Sequence, residues 1–161
     1  MSQSPAPETV TPELQRMKLL DALIALWHER NSAPAPESLG ERGEAEAERF
    51  LTKLGYKILA RGSRNKLGEL DRVALDGATI VFVEVKTRHS TDQGHPADAV
   101  DDRKQAKLTR LALAYLKRHR LLDHSSRFDV VAITWPEDDQ QPKIEHFKNA
   151  FEATGRDSMF S

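Results

Sequence analysis

Apolar positions along this chain recur in two rhythms, and each change of rhythm marks an element. In residues 11–30, Leu14, Met17, Leu20, Leu23, Ile24 and Trp27 return every three or four positions, the spacing of one helix face. Thr11-Pro12-Glu13 opens that helix with a capping hydroxyl, a proline at the first helical position and an acid in the first turn. Residues 31–39, with Pro34 and Pro36, read as a linker. A second helix is predicted over 41–54, with Gly43, Ala47, Phe50, Leu51 and Leu54 inward and Gly55 as its stop. Glu44 falls within about 60° of Ala47, at the border of that stripe. Glu41, Glu46 and Glu48 lie further round, toward water. A third helix is predicted over 101–118 on Leu108, Leu111, Ala114 and Tyr115. Lys104 lies on the same line, one turn before Leu108, so it points toward the sheet or its edge. It is a candidate phosphate contact there, or a snorkelling lysine with its stem on apolar neighbours.

Between the second and third helices the rhythm shortens. Residues 56–61 read as a strand and 62–68 as a basic loop. Two further strands follow, with a tight turn at Asp76-Gly77. With a two-residue loop, Leu75 pairs with Ala78 and Asp71 lies opposite Phe82. Alternation then sends Glu69, Asp71, Phe82, Glu84 and Lys86 to one face and Val81, Val83 and Val85 to the other. Asp71 and Glu84 become diagonal neighbours, roughly 7–8 Å apart at the backbone. A loop of odd length would send Asp71 to the valine face. Residues 89–97 have loop composition. Residues 127–134 form a buried-type strand, parallel to the Glu84 strand because a helix separates the two. Trp135-Pro136 ends it. A short last strand is expected over 142–147, then one helical turn over 149–153 and a tail. The fold class is α/β: a mixed central β-sheet flanked by helices, with an extra N-terminal helix. Residues 1–39 hold the disordered start, that helix and the linker. The main domain spans 40–155, and 156–161 is the tail.

The hairpin carries the candidate chemistry. A strand such as Val81-Phe82-Val83-Glu84-Val85-Lys86 is buried, and a buried Glu or Lys needs a partner. One reading is a structural ion pair, Glu84–Lys86 or Asp71–Lys86. The other is two carboxylates, Asp71 and Glu84, holding a divalent cation with a lysine beside it.

Composition narrows the rest. The 161 residues are 39% hydrophobic, enough for one α/β domain with an extension. Cysteine is absent, which excludes disulfides, thiolate zinc sites and cysteine nucleophiles. No apolar run is long enough to span a bilayer, and Met1-Ser2-Gln3-Ser4-Pro5 lacks the marks of a secretory signal, so a cytoplasmic protein without a membrane partner is expected. The net charge is −1, but its distribution is uneven. Arg103, Lys104, Lys107, Arg110, Lys117, Arg118 and Arg120 fall in a stretch with no acid, and Arg61, Arg64 and Lys66 form a second basic group. Two basic groups flanking a carboxylate site favour a phosphate-rich ligand. The six histidines show no metal-ligand spacing.

A glutamate on the first domain helix, an aspartate at the start of the second strand and Glu84-x-Lys86 on the third resemble the PD-(D/E)xK nuclease superfold, the restriction-endonuclease-like fold shared with Holliday junction resolvases. Over residues 40–151 the set is more closely similar to the YraN family of bacterial proteins. It comprises Gly43-Glu44-Ala45, Gly68-Glu69-Leu70-Asp71, Phe82-Val83-Glu84-Val85-Lys86-Thr87-Arg88, Lys104, Arg127-Phe128-Asp129-Val130-Val131 and Asn149-Ala150-Phe151. Leu70 stands where the superfold's name has a proline. The resemblance implies a Mg²⁺- or Mn²⁺-dependent endonuclease with Glu44, Asp71, Glu84 and Lys86 as its catalytic set. Asp71 and Glu84 would hold the metal, and Glu44 would orient water or help with a second ion. Arg64, Lys66, Arg88 and Lys104 would grip a nucleic-acid backbone, DNA in the first place and branched or damaged DNA above all. The alternative is a non-catalytic module that binds nucleic acid or a protein on the same fold. The N-terminal helix lies outside the resemblance and is expected to pack on the main domain or on a second copy, as a homodimer would.

Overall fold

The computed structural model describes residues 38–89, 100–136 and 141–154, together with Met17, Lys18, Asp21 and Ala22. The chain divides into two units, Met1–Ala33 and Pro34–Ser161. In the first, Met17, Lys18, Asp21 and Ala22 are helical, and the rest of the helix expected over 11–30 lies outside the described residues. The loop expected at 89–97 lies, apart from His89, outside the described residues.

The second unit is built from α1 (Leu39–Lys53), β1 (Lys57–Asn65), β2 (Gly68–Asp76), β3 (Thr79–Arg88), α2 (Asp102–His119), β4 (Ser126–Thr134) and β5 (Lys143–Phe151). The five strands form one sheet in sequential order β1-β2-β3-β4-β5. All pairs are antiparallel except β3–β4, which is parallel, as the intervening helix demands. The mixed α/β class and its flanking helices match the expectation.

Both helices start on side-chain caps. Ser38 accepts from the Glu41 backbone N–H while the Glu41 carboxylate accepts from the Ser38 N–H, a reciprocal capping box. Asp101 accepts from the Lys104 backbone N–H and opens α2. Side-chain alternation then assigns each helix a face of the sheet. Helix α1 covers the face of Val81, Val83 and Thr87. Gly43 makes this approach possible: a Cβ there would stand 1.8 Å from the Thr87 hydroxyl. Gly43→Ala is expected to destabilise the unit by about 1–3 kcal/mol, read as a lower denaturant midpoint at unchanged slope. Helix α2 covers the opposite face. There Tyr115 packs edge-on against Phe82, with ring centroids 5.9 Å apart, and Phe82 meets Phe128 at 5.6 Å. Leu108, Leu111, Ala112 and Leu116 close this layer.

Three local expectations are corrected. The segment 62–68 is not a loop. Strand β1 runs on to Asn65, because the edge of the sheet lets its polar residues pair with β2 while facing water, and only Lys66-Leu67 turns. The last strand is longer than expected, running to Phe151, and takes in residues 149–151 of the segment expected as a helical turn. Asn149 adopts a left-handed conformation (φ 48°) beside an irregularity in the β4–β5 ladder, and Phe151 still pairs with Phe128. The β2–β3 turn is Gly77-Ala78, since Asp76 pairs with Thr79.

Candidate functional site

That last correction moves the hairpin register by two residues, an even step, so every side chain keeps its predicted face. Arg72 pairs with Val83, and one step further the ladder places Asp71 directly opposite Glu84 rather than diagonal to it. Both project from the α2 side of the sheet, with Lys86 two residues beyond Glu84. The Asp71 carboxylate accepts from the Val85 backbone N–H at 2.8 Å, which fixes its orientation. Glu84 is buried. Its Oε1 accepts from Lys86 Nζ at 2.9 Å and from Lys104 Nζ, which reaches in from the first turn of α2. Asp71, Glu84, Lys86 and Lys104 therefore form one cluster of two acids and two bases.

Its electrostatics are strained. Burial, reinforced by the charge of Glu84, pushes the Asp71 carboxyl up to about 6. Burial also lowers the Lys86 ammonium, and Lys104 beside it pushes the same way. Burial opposes the Lys104 ammonium too, but its bond to Glu84 and the nearby Asp71 charge hold its pKa above the ordinary lysine value.

Glu44 is not brought into this cluster. It lies across the sheet on the α1 side and bonds Arg72 Nη1 at 2.7 Å, although its charge is still felt at Asp71. Glu48, expected to face water, is instead half-buried between two arginines. It accepts from Arg61 Nε at 2.7 Å and from Arg72 Nε at 3.1 Å. Arg61 is thereby withdrawn from the basic group predicted around Arg64 and Lys66. Arg72 was the missed signal: two residues from Ala74 on a buried strand, it had to find acids on α1. Arg64 is exposed and paired with Glu69, its cross-strand neighbour. Lys66 is exposed in the β1–β2 turn. Arg88 ends β3 in register with Thr134, and its carbonyl accepts from the Trp135 N–H.

A further basic contact escaped the sequence reading. The Lys107 side chain crosses the start of β2 so closely that a Cβ on Gly68 would lie 2.6 Å from its Cε. Gly68 has a φ of 140°, which disfavours other residues as well. Arg103, Lys107 and Arg110 lie exposed along one side of α2 and join the turn bearing Lys66. Among the described residues no group of three or more His, Asp or Glu converges, and no helix is long and apolar enough to cross a membrane.

Residues 43–133 match the model of the family described as Uncharacterised protein family UPF0102. The chain belongs to this family. It is 49% identical over 143 residues to a UPF0102 protein of Rhodopirellula baltica, covering 85% of this chain and 86% of that one. It is 50% identical over 116 residues to a UPF0102 protein of Geobacter metallireducens, covering 72% and 93% respectively. The matched span, residues 43–133, contains Glu44, Asp71, Glu84, Lys86 and Lys104, so the four-residue cluster and Glu44 on α1 lie within it.

Proposed function

We propose that this UPF0102 protein is a metal-dependent nuclease that hydrolyses phosphodiester bonds in DNA. One observation carries the reading: Asp71 and Glu84 stand side by side on neighbouring strands with Lys86 and Lys104 against them. Burial and the charge of Glu84 beside it push the Asp71 carboxyl up, so the pair favours added positive charge, and a hard divalent cation such as Mg²⁺ or Mn²⁺ suits a pair of oxygen donors completed by water and phosphate. Asp71 and Glu84 would hold it, and when bound it would polarise the scissile phosphate and acidify a water. The chain's own groups do the rest. The Val85 N–H keeps Asp71 aimed into the site. Lys86, its pKa lowered, sits where it can orient the attacking water or offset charge on the phosphate. Glu44 acts from a distance, by orienting Arg72 and by its field at Asp71.

Lys66, Lys107, Arg103 and Arg110 offer a phosphate-binding surface, and among the described residues no element is built to enter a groove and read bases. Affinity of that kind follows backbone shape, which favours branched or damaged DNA as substrate. The order of strands and the placement of the acids on β2 and β3 also agree with the restriction-endonuclease-like superfold.

A second reading has its own observation. Glu84 is already satisfied by two lysines, as in a structural ion pair, so the cluster would be silent and the basic surface a binding module. Incubating the purified protein with labelled branched, nicked and linear duplexes separates the two. The nuclease reading expects products with Mg²⁺ or Mn²⁺ and none with chelator. Binding of these DNAs without cleavage under any metal condition would favour the module.

A further inference from the structure

We infer that Lys104 is a resident counter-cation of Glu84 that moves to nucleic-acid phosphate, so that phosphate binding opens the site to a divalent cation. The inference rests on the nuclease reading and deepens it by specifying how the site is loaded.

The Glu84 side chain is only 7% exposed, and a single oxygen of it, Oε1, receives both ammonium groups. A divalent cation cannot take that oxygen while both remain. Lys86 sits on Glu84's own strand, two residues away. Lys104 differs in three respects. Its side chain is 34% exposed against 22% for Lys86. It comes from a separate element, and its backbone is pinned by the Asp101 cap, so the side chain can swing without disturbing the helix. It also borders the exposed row of Arg103, Lys107 and Arg110, where a phosphate backbone would lie.

Its helix position adds a physical reason. Lys104 is the third residue of α2, in the turn whose unpaired N–H groups favour acids. A lysine there opposes the helix dipole, so helix stability does not account for it, and the bond to Glu84 does. A phosphate arriving on the basic row offers the Lys104 ammonium another anion within the sweep of its flexible stem. Once it moves, Glu84 Oε1 keeps only Lys86 and can take the cation. Linkage then makes the effect reciprocal: phosphate tightens cation binding and the cation tightens phosphate binding by the same factor.

The test is titration of Mn²⁺ into the wild-type chain and into Lys104→Met, each alone and with a short phosphorothioate-linked duplex that resists hydrolysis. The variant is expected to bind Mn²⁺ alone about tenfold more tightly than wild type, in the range of ordinary site-to-site coupling. The duplex is expected to improve wild-type Mn²⁺ affinity by more than it improves that of the variant. A damaged fold cannot yield tighter binding, so the expected sign separates exchange from a structural role. If Lys104→Met binds Mn²⁺ no more tightly than wild type, or the duplex helps both equally, the exchange is overturned while the nuclease reading stands. If neither protein binds Mn²⁺ with or without the duplex, both fall.

Discussion

Replacing Asp129 with alanine is expected to destabilise the main unit by about 3–5 kcal/mol, the scale of breaking a buried, hydrogen-bonded charge pair. Asp129 is fully buried on the α1 side of β4. Arg127 donates to it from Nε at 2.9 Å and from Nη2 at 3.2 Å. His146 Nε2 lies 2.9 Å from Oδ2, and the Asn149 backbone N–H donates to Oδ1 at 2.9 Å. Burial alone would raise this carboxyl, but His146, Arg127 and the Asn149 N–H together hold it below the usual aspartate value. Its stabilisation is therefore present above the ordinary aspartate pKa and is lost as the pH falls through the lowered one. Alanine leaves the His146 ring and the Asn149 N–H without their partner. Arg127 keeps only Asp76 and Tyr56, each at 2.8 Å. The left-handed Asn149 that shapes β5 is anchored by the same carboxylate. Denaturant unfolding at neutral pH checks this, with a lowered midpoint at unchanged slope. A loss below about 1 kcal/mol would show that the network is not what closes this side of the sheet.

Asp71→Asn is expected to change stability in the opposite direction. An acid whose folded pKa is raised holds its proton in the fold while the unfolded chain has lost it. The contribution of Asp71 to wild-type stability therefore falls as pH rises from about 4 to about 6, and stays lower above that. Asparagine removes the ionisation and still accepts from the Val85 N–H. The variant should exceed wild type by about 2 kcal/mol above pH 6.5, and the advantage should vanish near pH 4. Paired thermal unfolding curves across that range check it. Equal stability at pH 8 would contradict the electrostatic account of the site. A residue that weakens its own fold at working pH is typical of a site kept for function.

The legible part of the site was the hairpin. Its predicted register was wrong by two residues, yet Asp71, Glu84 and Lys86 came out on one face, because strand alternation survives any even shift. The turn was misplaced because Asp76-Gly77 is a strong turn pair in isolation. In the fold, Asp76 is held in the strand, and its carboxylate serves Arg127. The α1 stripe was legible only at its centre. Gly43, Ala47 and Leu51 are buried, whereas Leu54 is 52% exposed at the helix end. Helical periodicity locates the apolar face. It is silent about charges on a distant strand, so the reach of Glu44 and Glu48 to Arg72 was invisible. The same limit hid Asn149. Its conformation depends on a carboxylate twenty residues earlier, and nothing local in 149–153 reports it.

The most direct test of the central claim is calorimetry of Mn²⁺ or Mg²⁺ binding, with duplex DNA absent and present, to wild type and to Asp71→Asn. The nuclease reading predicts one divalent-ion site in wild type that is lost in the variant, although the variant is the more stable protein. No ion binding to wild type in either condition, or equal binding to both proteins, would contradict it.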